Sequence, residues 1–143
     1  MDKIVWNDEV FSVGHALMDQ HHQQLVAYIN QLMELLDQPQ PDEVEYLRIL
    51  SAVGEYVDLH FTVEEELLRR AEYPDLEFHH QQHSGYADKI GECIALADVG
   101  QIVFVTEFLE RWLLKHILAE DMNSSFGVYF SHKSNYNNMI HND

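Results

Sequence analysis

Four stretches of this chain place apolar residues at the i, i+3, i+4, i+7 spacing of a helix that buries one face. The first carries Met18, Leu25, Ile29, Leu32 and Leu36, and the second Leu50, Val53, Val57 and Leu68. The third carries Tyr86, Ile90, Cys93 and Ala97, and the fourth Ile102, Val105, Leu109 and Trp112. No single helix can hide its own stripe, and the breaks between them are short enough to make successive helices antiparallel neighbours. The pattern predicts an all-α fold: an up-down-up-down antiparallel four-helix bundle.

Local chemistry sets the expected boundaries. Asp19 is a good N-cap, so the first helix should run from there to about Asp37, where Gln38-Pro39-Gln40-Pro41 stops it. Asp42 can cap the second, which should end near Glu72, before Tyr73-Pro74. The third should cover Leu76 to Ala97 and the fourth Gln101 to Glu120, with Asp98-Val99-Gly100 as the turn between them. Residues 1–18 read as an extended N-terminal arm, in which Trp6, Phe11 and Val13 are spaced to pack and Gly14 is a breaker. Phe126, Val128, Tyr129 and Phe130 form a short apolar patch, but Ser131 to Asp143 is rich in Asn and Ser. The organisation expected is one bundle domain over 1–121 and a loosely ordered C-terminal extension over 122–143.

Composition removes several classes of partner. Eight Lys and Arg against 25 Asp and Glu give a net charge of -17, which nucleic acid and anionic membrane surfaces would repel. No apolar run approaches the ~20 residues of a membrane span. The opening MDKIVWNDEV has no basic segment followed by an apolar one, so no secretory signal is expected. The single cysteine, Cys93, cannot form an internal disulfide, which suits a reducing cytoplasm.

The polar residues on the stripes carry the chemistry. His22 opens the first helix, His60 and Glu64 lie late in the second, His79 and His83 open the third, and His116 and Asp121 close the fourth. In an up-down-up-down bundle those positions share one end. Carboxylates and imidazoles on core stripes cost several kcal/mol unless something neutralises and orders them, as a coordinated metal does. His60/Glu64 and His79/His83 are i,i+4 pairs, about 40° apart around a helix, so each pair can reach one centre. His116 and Asp121 are five apart, about 140°, so the helix should end or distort there. His21 and His22 precede Leu25 by four and three residues, and periodicity allows either to face inward. His15, His132 and His141 fall outside the pattern and are expected in solvent, as is His80. Five imidazoles and two carboxylates are too many for one tetrahedral zinc, and imidazoles disfavour calcium or magnesium. They suit two transition-metal ions, iron above all. A ferritin-like site needs two inward Glu-x-x-His motifs, and Glu77-Phe78-His79-His80 is the only one.

From Trp6 to Asp121 the chain resembles the bacterial hemerythrins. Trp6 with Phe11-Ser12-Val13-Gly14 is similar to the family's arm, and Met18-Asp19-Gln20-His21-His22-Gln23-Gln24-Leu25 to its first ligand motif. His60-Phe61-Thr62-Val63-Glu64-Glu65 resembles the HFxxEE signature. Tyr73-Pro74 with His79, His83 and Tyr86 resembles the third motif, and Trp112-Leu113-Leu114-Lys115-His116 with Asp121 the fourth. Ser124 departs from the tyrosine many relatives carry there. The resemblance selects His22 over His21, leaving His21 expected in solvent. It implies two Fe ions bridged by an oxo or hydroxo group, one held by His79, His83 and His116 and the other by His22 and His60. Glu64 and Asp121 would bridge them. It further implies O2 as the ligand, bound reversibly at the open position of the second iron. Leu25, Phe61, Trp112 and Leu113 are the candidates to wall that O2 pocket.

The expected function is oxygen carriage or storage, without enzymatic turnover. The alternative is an O2 or redox sensor that uses the same site and passes its output through the arm or tail to a protein partner. A di-iron oxidase is the weakest of the three readings.

Overall fold

The computed structural model describes residues 1–118, and those residues are helical with short connections. They form a short α1 (Asp8–Phe11) and the four bundle helices α2 (Ala16–Leu36), α3 (Glu43–Arg70), α4 (Leu76–Leu96) and α5 (Ile102–Lys115). A single 3₁₀ turn, Val99–Gln101, leads into α5. In the bundle α2 packs against α3 and α5, and α3 against α4. The expected bundle is the one that forms.

The core follows the stripes. Met18, Leu25, Ile29 and Leu32 of α2 are buried against Leu50, Val53, Val57 and Leu68 of α3, Ile90 and Cys93 of α4, and Ile102, Val105, Leu109 and Trp112 of α5. Leu36 and Tyr86 are only partly buried. Ala97 departs from its stripe. It lies exposed just past α4 with φ 48°, because the chain must reverse there and a left-handed residue closes the helix.

The start of α2 also differs from the sequence expectation, because a local cap is recruited into tertiary contact. Asp42 caps α3 as expected, accepting from the backbone N–H of Val44 and Glu45. Asp19 does not cap α2. That helix begins at Ala16, and His15 Nδ1 accepts from the Met18 N–H at 3.4 Å, so His15 is half-buried rather than free in solvent. The Asp19 carboxylate instead accepts from Ser12 Oγ at 2.6 Å and from Val13 N–H at 2.9 Å, which ties the arm to the start of α2. The arm itself is not wholly extended: α1 interrupts it, with Asn7 accepting from Glu9 N–H. Trp6 and Phe11 lie 5.3 Å apart between ring centroids and Val13 is buried, so all three pack as their spacing suggests. Ile4 exchanges two 2.8 Å hydrogen bonds with the Asn30 side chain, fastening the start of the arm along α2.

At the other end of α3, Tyr73 N–H reaches back to Leu68 O at 3.0 Å while Glu72 sits at φ 59°. That is a Schellman closure with a glutamate in the position glycine usually fills. It turns the chain sharply into α4 and sets the first residues of α4 beside the last turns of α3. At the end of α5, residues 116–118 widen into a π turn. The helix therefore distorts at His116, where the sequence leads one to expect it to end or distort. Asp121, Ser124, the apolar patch from Phe126 to Phe130, His132, His141 and the rest of the 122–143 extension lie outside the described residues.

Candidate metal centre

The end of the bundle where α2 and α4 begin and α3 and α5 finish collects a buried set of donors. His22, His60, Glu64 and His116 are fully buried, and His79 and His83 are 5% and 2% exposed. Each comes from the helix position its stripe dictates, so the fold carries imidazoles into the core as a continuation of its apolar faces.

Glu64 organises them. Its Oε1 lies 2.7 Å from His79 Nε2 and 3.1 Å from His83 Nε2. Its Oε2 lies 3.1 Å from His60 Nε2 and 3.5 Å from His116 Nε2. One carboxylate thus puts an oxygen into each of two donor groups: Glu64, His79 and His83 in one, and Glu64, His22, His60 and His116 in the other. Within each group the donor atoms lie within 4.8 Å of one another. His22 closes the second group, its ring centroid 4.9 Å from that of His60 and 5.5 Å from that of His116.

His116 stands at the boundary of the two groups, its Nε2 3.1 Å from His60 Nε2. The His116 ring also borders the other half, 5.7 Å from His83 against 5.3 Å from His60.

The electrostatics suit metal ligation. Burial pushes His60 down to about 4 and outweighs the opposing pull of Glu64, so the imidazole is neutral and its lone pair available near pH 7. Burial works to raise the Glu64 carboxyl, but His116, with His60 and His79 beside it, overcomes that effect and holds the group well below its usual range. A charged Glu64 carboxylate beside a neutral His60 imidazole is a donor pair in its binding form. Glu64 Oε2 and His83 Nε2 are fully buried and make no hydrogen bond of good geometry among the described residues. Buried polar atoms left so are costly, and coordination would satisfy them. The donor set therefore fits metal ions, with imidazole nitrogens and carboxylate oxygens of the kind transition metals take.

Two partners behind the ligands were not legible as such. His21, expected in solvent, is 6% exposed, and its Nδ1 lies 3.0 Å from Nδ1 of His60. Burial, then the neighbouring His22, lowers its pKa. Glu65 accepts from His83 Nδ1 at 3.1 Å and also contacts exposed His80, which stays in solvent as expected. His80 and His83, three apart on one face of α4, share that carboxylate.

The four wall candidates are all buried. Phe61 stacks on His83, 3.9 Å between centroids and 6° between planes, and Trp112 stacks on His116 at 5.8 Å and 17°. Leu25 and Leu113 lie in the core three residues from His22 and His116 respectively, next to the donor end.

The chain is similar to known proteins over most of its length. The Hemerythrin HHE cation binding domain matches residues 13–123. The chain is 30% identical over 123 residues to a bacteriohemerythrin of Clostridium acetobutylicum, covering 82% of this chain and 95% of that one. It is 27% identical to a bacteriohemerythrin of Stenotrophomonas maltophilia, covering 85% and 78%. A wild-type hemerythrin crystal structure superposes with a TM-score of 0.78 at 22% identity, over 91% of this chain and 99% of the other. A bundle with this donor cluster, matched across most of its length by that domain, belongs to the hemerythrin family.

Proposed function

We propose that this chain binds O2 reversibly at a non-haem di-iron centre, as an oxygen carrier or store in the cytoplasm, without turning over a substrate. The observation that carries the reading is Glu64, with Oε1 among His79 and His83 and Oε2 among His22, His60 and His116. Two ferrous ions held there would supply the two electrons that reversible O2 binding draws on. Asp121, five residues after His116, is the second carboxylate of the family pattern, and by that pattern His22 and His60 serve the ion with the open position. The protein's part is to exclude water and fix the donors. Phe61 and Trp112 each cover one face of a donor imidazole, and Leu25 and Leu113 fill the core beside them. An apolar wall keeps water and reductants from the bound gas, so that O2 leaves as O2. No described helix is long and apolar enough to cross a membrane.

The test is a visible absorption spectrum taken anaerobically, in air and after removal of oxygen, with iron counted per chain. Two irons and an oxygen-dependent band that disappears on deoxygenation are expected. One iron, a zinc-filled site or an irreversible change would overturn the proposal. His22→Ala should leave the bundle folded but reduce the count to one iron and abolish the band.

A further inference from the structure

The histidine doublet of α2 divides its labour. His22 joins the donor cluster, while His21, one residue earlier and about 100° around the helix, stands behind His60. His60 presents Nε2 to the cluster, 3.1 Å from His116 Nε2 and 3.1 Å from Glu64 Oε2. Its other nitrogen, Nδ1, faces Nδ1 of His21 at 3.0 Å, with both rings buried.

A neutral imidazole carries one proton, and the nitrogen that binds a metal must be the one without it. For His60 to ligate through Nε2, its proton has to sit on Nδ1, and the group placed to accept that N–H is His21. His21 must then offer its own Nδ1 lone pair and keep its proton on Nε2. The other half of the cluster uses the same device with a different acceptor: His83 Nδ1 donates to the Glu65 carboxylate. A neutral ring supports one half and a carboxylate the other.

We propose that His21 is a positioning residue for His60. Its Nδ1 accepts the His60 Nδ1–H, holds that ring in the tautomer that frees Nε2 for a metal ion, and aims Nε2 at the Oε2 side of Glu64. The metal-binding consequence rests on reading the cluster as a two-ion centre. Loss of such an outer partner typically weakens metal binding 10- to 100-fold.

The test compares the wild-type chain with His21→Gln, whose amide oxygen can accept the same hydrogen bond, and His21→Leu, which cannot. In the metal-free proteins, ¹⁵N NMR of the His60 ring should show the Nδ1–H tautomer in the wild type and in His21→Gln. It should shift toward Nε2–H in His21→Leu. In anaerobic titrations with Fe²⁺, the second ion should bind about 10- to 100-fold more weakly to His21→Leu, and within a few-fold of wild type to His21→Gln. An unmoved tautomer in His21→Leu, an unweakened second ion there, or a His21→Gln that behaves as His21→Leu would each overturn the role. A wild type that takes up fewer than two ions would sink the two-ion reading instead, and the tautomer comparison would still decide what His21 does.

Discussion

Acid should destabilise the metal-free protein through His60, by an amount the burial of that ring allows to be worked out. The ordinary value for the group is 6.5, and in the folded chain burial holds it at about 4. Between those two values the unfolded chain binds a proton that the native one refuses, so stability falls as pH falls. Above 6.5 the ring is neutral in both states and its contribution is fully present. Below about 4 it is charged in both, and the contribution is gone. At about 1.4 kcal/mol per pH unit the difference amounts to about 3 kcal/mol, a large part of the ~5–15 kcal/mol that holds a typical domain together. Glu64 adds to the loss further down, because a carboxyl held below its usual range contributes stability above about 4.5 that disappears as it protonates. The assay is urea unfolding of chelator-treated protein between pH 7.5 and 4.5, for the wild type and for His60→Gln. Below 6.5 the wild type should lose stability more steeply, by up to about 1.4 kcal/mol per pH unit. Parallel curves through that interval would refute the argument, since a ring solvated in the native state titrates alike in both states.

Two further outcomes follow from particular contacts. Phe61→Ala removes a buried ring that stacks on His83, and should cost about 3–5 kcal/mol in denaturant unfolding. In the iron-loaded protein the same change should shorten the lifetime of the O2-bound form, read as faster decay of its absorption band; an unchanged decay would remove Phe61 from the wall. Ala97→Gly relieves the left-handed conformation at the end of α4 and should stabilise the fold by about 0.5–1 kcal/mol, or a few degrees in Tm, with the iron count unchanged. A melting temperature that falls would show that the strain read from φ 48° is not there.

The bundle was legible because its information is local. Each stripe repeats within one helix, Asp42 caps α3 within its own first turn, and His60/Glu64 and His79/His83 meet by i,i+4 spacing alone. None of that needs a neighbouring helix, so it survives being read one dimension at a time. The clustering of His22, His60, Glu64, His79, His83 and His116 was legible for a related reason, because antiparallel topology brings alternate helix ends together whatever the details of packing. Periodicity also located the distortion at His116, where the π turn now stands.

What failed were statements about whether a side chain faces a neighbour, which depend on how far each helix is rotated and shifted against the next. His21 falls near the edge of its stripe, and only the placement of α3 against α2 buries it behind His60. Asp19 carries every local mark of a cap, yet the returning arm claims its carboxylate and the helix starts three residues earlier. Ala97 fits the period of α4 but sits where the chain must turn, so it leaves the core. The sequence by itself determined the four helices, their order and the donors at one end, because these follow from spacing along a single axis. Only the tertiary structure decided that Glu64 gives one oxygen to each donor group, that His116 stands between the groups beside His60, and that His21 backs His60. Those are distances between helices, and an interhelical distance of about 3 Å is set by packing that no single stripe encodes.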